Sequence, residues 1–395
     1  MADMAFERHA PWRLPDGMEA LLPPRAGAVE MLRGAFLRRC ILWGYQQVIP
    51  PLLEQPDALF MGTGQDLRRL AFHLTDPHDG TLLAIRPDIT PQVARLDAQW
   101  HAARGVARLC YAELVARTMP ETPGGPRLLY QAGAELYGNP SLEADAEVVL
   151  LALEVLKVLG CPQLVLSLGE VRIYRQLLQL HAVEEAIQPP LYAALQAKAG
   201  FEVRAILEGS GLDRATTELF VALTRLYGGL EVLEEARGLL PCHEGLKQAL
   251  DNLQTLAARV QAVYPDVELH IDLAELRGFS YHTGLVFAAH HPDIGGELAR
   301  GGRYDQTATA AGQARCATGF SIDLSMLLPF ALGQEDQQPI QAPSGADAGL
   351  HDAVTALRNQ GHRVIHVLPG EEPAADAPEK RLVYCQRLGV WRVEP

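Results

Sequence analysis

Between Val171 and Tyr264 the chain is rich in Leu, Ala, Glu and Gln and poor in β-branched residues, while the segments on both sides alternate short apolar runs with turn residues. Strands that flank a long helical stretch do not make a βαβ repeat. They read as an α+β domain, with an antiparallel sheet flanked by helices and a helical lobe inserted at about 171–264. Val29, Leu32, Phe36, Cys40 and Trp43 share one face of a helix over 25–43, with Pro23-Pro24 before it and Gly44 after it. An extended segment at 45–53 turns at Pro50-Pro51, strands are expected at 70–75, 81–85, 106–112 and 128–137, and a helix at 90–101. A strongly apolar helix over 143–159 precedes a strand at 163–168, and strands return at 267–273, 280–290 and 296–299. This first domain spans 1–332; a polar, Pro-rich linker at 333–345 leads to a small C-terminal α/β segment, 346–395, with one helix, a strand at 363–368 and a closing strand pair around Gly389.

Charge narrows the partners. Asp and Glu number 48 against 34 Lys and Arg, for a net charge of −14. Nucleic-acid binding draws on a basic face that neutralises phosphates, so no nucleic-acid partner is expected. The six cysteines form no Cys-x-x-Cys pair and no zinc pattern, which fits reduced thiols in a cytoplasmic protein and no metal. Residues 1–12 lack an apolar core, so no secretory leader is expected, and 148–159 is too short and too charged to span a bilayer, so no membrane is expected.

Four stretches carry chemistry. In Arg86-Pro87-Asp88-Ile89-Thr90 a carboxylate and a hydroxyl two apart suit an ammonium group, although Thr90 before Pro91 is equally a helix N-cap. Gln131 and Glu135 lie four apart on one face of the 128–137 strand, with Ala132 and Ala134 on the other, so the pair is either a solvated edge or a polar pocket floor. Arg117 precedes a loop with Pro120, Pro123, Gly124 and Gly125 and is by default a surface residue. Arg277–Gly284 and Gly301-Gly302-Arg303-Tyr304-Asp305 carry glycines that permit close backbone approach, the second reading as a tight turn. Phosphate loops, a nucleophile elbow and a zinc signature are all absent.

In this order the motifs resemble the catalytic domain of histidyl-tRNA synthetase, a class II aminoacyl-tRNA synthetase, over residues 8–330. Leu14-Pro15-Asp16-Gly17 resembles the family's opening, and Gly44-Tyr45 through Glu54 its motif 1, the dimer-forming element. Arg117 with Gln131–Glu135 resembles motif 2, and Arg277–Gly284 the histidine-specific motif. The resemblance implies that Asp88, Thr90 and Gln131 take the α-ammonium of histidine, that Glu135, Tyr281 and His282 read the imidazole, and that Arg117 and Arg277 face the carboxylate.

Departures from that pattern redirect the function. Ser325 and Met326 stand where motif 3 carries Glu-Arg, and a thioether cannot steady a triphosphate as a guanidinium does. Met119 replaces a motif 2 glutamate used on ATP, Asp88 is a methylene shorter than the usual Glu, and His282 replaces a tyrosine. The tail from Glu335 is short for an anticodon-binding domain and has no basic cluster. The pattern is similar to the regulatory-subunit family of ATP phosphoribosyltransferase, synthetase paralogues that serve the first step of histidine biosynthesis. That resemblance implies a non-catalytic chain without cofactor, which self-dimerises and joins a short-form catalytic subunit in a hetero-octamer. L-histidine would be its feedback effector. Two rivals are an active amino-acid ligase, which would need a triphosphate arginine elsewhere, and a scaffold indifferent to histidine.

Overall fold

Helix α1 (Arg25–Leu42) buries Ala28, Val29, Leu32, Phe36, Leu37 and Cys40, the stripe that the spacing predicts. It stops at Gly44, whose φ of 84° is left-handed. There the Gly44 N–H donates to the Ile41 carbonyl and the Tyr45 N–H to the Cys40 carbonyl, the paired bonds of a Schellman cap. The computed structural model describes residues 13–60, 67–100, 105–276, 281–305, 315–331, 339–370 and 380–394. The chain divides into two units, Met1–Leu332 and Gly333–Pro395.

In the first unit, β1 (Gln46–Gln47) and β2 (Leu53–Glu54) flank Pro50-Pro51, and β3 (Phe72–Thr75) and β4 (Leu82–Ile85) join β2 in a three-stranded sheet. Helix α2 (Thr90–Trp100) leads to β5 (Ala107–Ala116) and β6 (Leu128–Tyr137), which pair antiparallel along their whole length. Helix α3 (Leu142–Val158) is apolar on nearly every side and is buried accordingly. After β7 (Val165–Glu170), helices occupy most of the chain from Val171 to Val263, with the two-residue β8 (Tyr227–Gly228) among them. Then come β9 (Glu268–Asp272), β10 (Leu285–His291), β11 (Ile294–Arg303) and β12 (Ala317–Asp323).

Among the described residues the main sheet runs β1-β5-β6-β12-β11-β10-β7-β9-β8. It is antiparallel through its centre, as expected, but mixed at its flanks, where β1 pairs parallel with β5 and β7 with β9. The sequence reading assigned no strand to 317–323, because Gly319, Ser321 and Asp323 hide the alternation; the segment is central all the same. Ala132, Ala134, Phe320 and Ile322 face the core with α1 and α3, and Phe36 meets Phe320 edge-on at 6.3 Å between ring centroids. Gln131, Gly133, Glu135, Gly319 and Ser321 take the other face of the sheet.

The second unit sets the helix Ala348–Asn359 on a sheet of β13 (Ile340–Pro343), β14 (Val364–Val367), β15 (Arg381–Cys385) and β16 (Val390–Glu394), ordered β14-β13-β15-β16. Asp347 caps the helix, accepting from the Leu350 N–H at 2.6 Å, and Ile340, Ala342, Leu350, Val354, Val364 and Leu382 form the core. The expected linker at 333–345 is thus corrected: Ile340–Pro343 is an inner strand, and Pro343 sits at its last position, where a missing N–H is tolerated. No helix among the described residues is long and apolar enough to cross a membrane.

Candidate functional site

The polar face of the main sheet floors a cavity of about 330 Å³, within the size range of small-molecule sites. Glycine makes the room. Glu135 on β6 lies opposite Gly319 on β12, and a Cβ at Gly319 would overlap the Glu135 carboxylate. We therefore expect Gly319→Ala to remove ligand binding altogether, with the folded state retained or modestly destabilised; calorimetry beside a melting curve checks this.

Glu135 is 1% exposed, so Gln131 and Glu135 are not a solvated edge. The Tyr111 hydroxyl donates to Glu135 Oε1 at 3.2 Å, the Tyr304 hydroxyl donates to Oε2, and Thr90 Oγ1 lies 3.1 Å from the Tyr111 hydroxyl. Tyr281 stacks on Tyr304 with centroids 4.8 Å apart. Its hydroxyl is buried with no hydrogen-bond partner among the described residues. Burial pushes the Glu135 carboxyl up to about 8, with a further rise from Asp88, against the lowering effect of the Tyr304, Tyr111 and Thr90 hydrogen bonds. Burial pulls His282 down to about 4, so its ring is neutral near pH 7; Nδ1 sits 3.3 Å from the Arg303 carbonyl and is the N–H donor there.

Asp88, Thr90, Glu135, Tyr281 and His282 line the cavity together. Asp88 Oδ1 accepts from the Thr90 N–H at 2.8 Å, so Asp88 rather than the Thr90 hydroxyl serves this turn. Gln131 and Arg117 stand just behind the lining. Gln131 Oε1 accepts from the Ile89 N–H at 3.0 Å, which holds the 88–90 turn against the sheet. Arg117, assigned by default to the surface, is buried: Nε donates to the Pro87 carbonyl at 3.2 Å and Nη2 lies 4.0 Å from Asp88 Oδ2. Arg277 lies outside the described residues.

Sequence reasoning missed four groups at this site: Tyr111, Tyr304, Arg300 and Glu121. Arg300 lines the cavity and pairs with Glu121 of the 117–127 loop. The sequence signal for Arg300 was masked because Gly301-Gly302 read as a turn, whereas both glycines lie within β11. Beneath the site, Arg303 makes a buried ion pair with Asp145 of α3, 2.9 Å from Nη2 to Oδ1.

At the motif 3 position, β12 ends on Asp323, which accepts from the Ser325 N–H at 3.1 Å and the Ser325 hydroxyl at 2.8 Å. Met326 packs against the main apolar core. Among the described lining residues Arg300 is the one guanidinium, and it is already paired.

A histidyl-tRNA synthetase fold with an amino-acid-sized pocket is the class that the fold and site define, and the comparisons agree. The family model for histidyl-tRNA synthetase matches residues 17–327, and that for the ATP phosphoribosyltransferase subunit HisZ C-terminal domain matches residues 337–394. An ATP phosphoribosyltransferase regulatory subunit of Chromohalobacter salexigens is 44% identical over 387 residues, covering 97% of this chain and 98% of that protein. The crystal structure of an ATP phosphoribosyltransferase regulatory subunit/histidyl-tRNA synthetase from Bacillus halodurans superposes with a TM-score of 0.78 at 27% identity, over 92% of this chain and 95% of that one. A chain of the ATP phosphoribosyl transferase (HisG:HisZ) complex from Thermotoga maritima shares the fold, with a TM-score of 0.58 at 19% identity over 77% of this chain and 98% of that one. The chain belongs to the ATP phosphoribosyltransferase regulatory subunit family.

Proposed function

We propose that this chain is a non-catalytic subunit that binds L-histidine in the Glu135 cavity and passes that signal to a short-form catalytic subunit in the cytoplasm. The observation that carries the reading is the contrast within one site. Carboxylate, hydroxyl and aromatic groups fit for an amino acid converge on the cavity, while a half-buried Met326, packed against the core, stands where the synthetase motif carries its triphosphate arginine. Asp88 and Thr90, steadied by Gln131, suit the ammonium; Glu135, Tyr281 and His282 suit the imidazole; Arg117, with Arg277, suits the carboxylate. The HisG:HisZ complex of Thermotoga supports a catalytic partner, and a hetero-octamer is the assembly we infer. Mixing the chain with a short catalytic subunit and assaying phosphoribosyl transfer with and without histidine tests the reading. No gain in rate on mixing, or no loss with histidine, contradicts it.

Self-association is proposed through α1 and the Tyr45–Glu54 region. Met31, Ile41, Leu42, Ile49, Leu52 and Leu53 are all at least 41% exposed there, an apolar set that a protein partner would cover. Light scattering should give a dimer or higher assembly for the native chain, and Leu42→Lys with Ile49→Asp should shift it toward monomer. A native monomer contradicts the assignment.

Histidine affinity should depend on pH through Glu135. Between about 6.5, the ordinary imidazole value, and about 8, the Glu135 value, the carboxyl holds a proton and free imidazole is neutral. Moving that proton to the ring makes an imidazolium–carboxylate pair with no net uptake. Above about 8 the proton must come from solvent, so affinity should fall about tenfold per pH unit. Titration calorimetry from pH 6 to 9.5 checks this, with Glu135→Gln as the control that keeps only the ligand's own α-amino titration. Identical profiles for the two proteins would sink the assignment.

A further inference from the structure

Glu121 lies between two guanidinium groups. Its Oε2 is 3.3 Å from Arg117 Nη1, and its Oε1 pairs with Arg300 Nη1 at the cavity wall. Arg117 is held from behind by the Pro87 carbonyl, and Arg300 also lies 4.0 Å from Glu297 Oε2. The loop that carries Glu121 is fixed at its base: the Thr118 hydroxyl donates to the Arg69 carbonyl at 2.7 Å, Arg127 Nε donates to the Arg117 carbonyl at 3.0 Å, and Arg127 Nη1 donates to the Asp16 carbonyl at 3.0 Å. Beyond the Glu121 pairs, its tip has no side-chain hydrogen bond to another segment among the described residues, with Met119 64% exposed and Gly124 at a φ of 75°. Burial alone would lift the Glu121 pKa, and Arg300 and Arg117 more than reverse it, so the group is an anion at neutral pH.

A carboxylate held by two arginines, one of which lines the cavity, makes the pairing that a ligand's own carboxylate could make. We propose that Glu121 is an internal stand-in for the carboxylate of the bound amino acid: in the empty state it ties the 117–127 loop to Arg117 and Arg300, and a ligand carboxylate displaces it and releases the loop tip. This rests on the amino-acid-binding reading of the cavity and adds a route outward from it. The occupant of the arginine pair decides whether the loop surface around Met119 is tied down. The side chain of Glu121 is 59% exposed, so the tie is of the weak, displaceable kind. The displacement also favours ligands that carry a carboxylate, because histamine, which has the ring and the ammonium alone, leaves the tie closed.

Two measurements on the full chain test the proposal. In the absence of ligand, Glu121→Gln should speed amide hydrogen exchange of residues 118–125, and histidine should speed it in the native protein. By calorimetry, Glu121→Gln should bind histidine about threefold more tightly, the fold-change equivalent of roughly 0.7 kcal/mol within the range for such pairs, with histamine affinity unchanged. Equal histidine affinity in both proteins, or weaker binding to the variant, overturns the stand-in and leaves the amino-acid reading in place. Equal gains for histidine and histamine overturn it as well, since the carboxylate would then play no part. Absence of histidine binding to either protein overturns the stand-in together with the reading on which it rests.

Discussion

Glu135→Gln should raise the histidine concentration for half-inhibition of the assembled enzyme by about 10- to 150-fold, since a hydrogen bond to a charged group is worth about 1.5–3 kcal/mol. The amide keeps the outline of the pocket floor; its oxygen can accept from one of the two tyrosines that donate to Glu135 in the native protein, and its NH2 can donate to the hydroxyl oxygen of the other. It cannot form the imidazolium pair. Because Glu135 lies on the open face of the sheet, and α1 packs on the opposite face, association should be unaffected. Feedback requires that histidine bind the inhibited and active assemblies unequally. The variant should therefore still assemble and still activate its partner, while the inhibition curve moves. Gel filtration beside a histidine dose-response separates the two. An unmoved curve would place histidine sensing elsewhere, most simply on the catalytic chain.

Asp145→Ala should destabilise the first unit by about 3 kcal/mol or more. Asp145 and Arg303 are both nearly excluded from solvent, with side chains 6% and 7% exposed, and Arg303 Nε also donates to Asp145 Oδ2 at 3.1 Å. Removing the carboxylate leaves a buried guanidinium with the Asn139 and Ser141 carbonyls and Asp305 as its remaining acceptors, which keeps the loss near the low end of the range for broken buried pairs. Asp145 sits in the first turn of α3, where the helix dipole also favours an anion, and that contribution disappears too. Arg303 is the last residue of β11, the strand that carries Arg300, and accepts at its carbonyl from His282, so the loss should loosen the cavity wall. Urea melts of the native protein and the variant measure it. A change below 1 kcal/mol would show that the remaining acceptors suffice.

Most of the architecture could be read from periodicity. The 128–137 strand has its expected ends, and α1 and α3 fall within a residue of theirs, because each carries a sustained apolar pattern that stops at Gly or Pro. The elements that escaped were those whose pattern is bent to serve the site. β12 needs Gly319 to leave room for Glu135, so it lacks the β-branched run that marks a strand. Arg117 could be placed by local sequence only as a surface residue, since what buries it is the packing of its loop against the 87–90 turn, where the Pro87 carbonyl accepts from Nε. The Glu121–Arg300 pair joins positions 179 residues apart, a relation that no local window contains. Likewise the choice between edge and floor for Gln131 and Glu135 depended on β12 lying beside β6, and β12, like β13, was a strand that sequence did not reveal.

A pocket that takes histidine without activating it separates binding from adenylate formation. ATP–pyrophosphate exchange, run with histidine on a preparation whose histidine binding has been established by calorimetry, tests that most directly. Binding is expected with exchange at the level of the protein-free control, because a half-buried Met326, packed against the core, stands where motif 3 of the synthetase carries its arginine, and Met119 supplies no carboxylate. Exchange above that control, dependent on both histidine and ATP, would show that the chain activates the amino acid and is no mere histidine sensor.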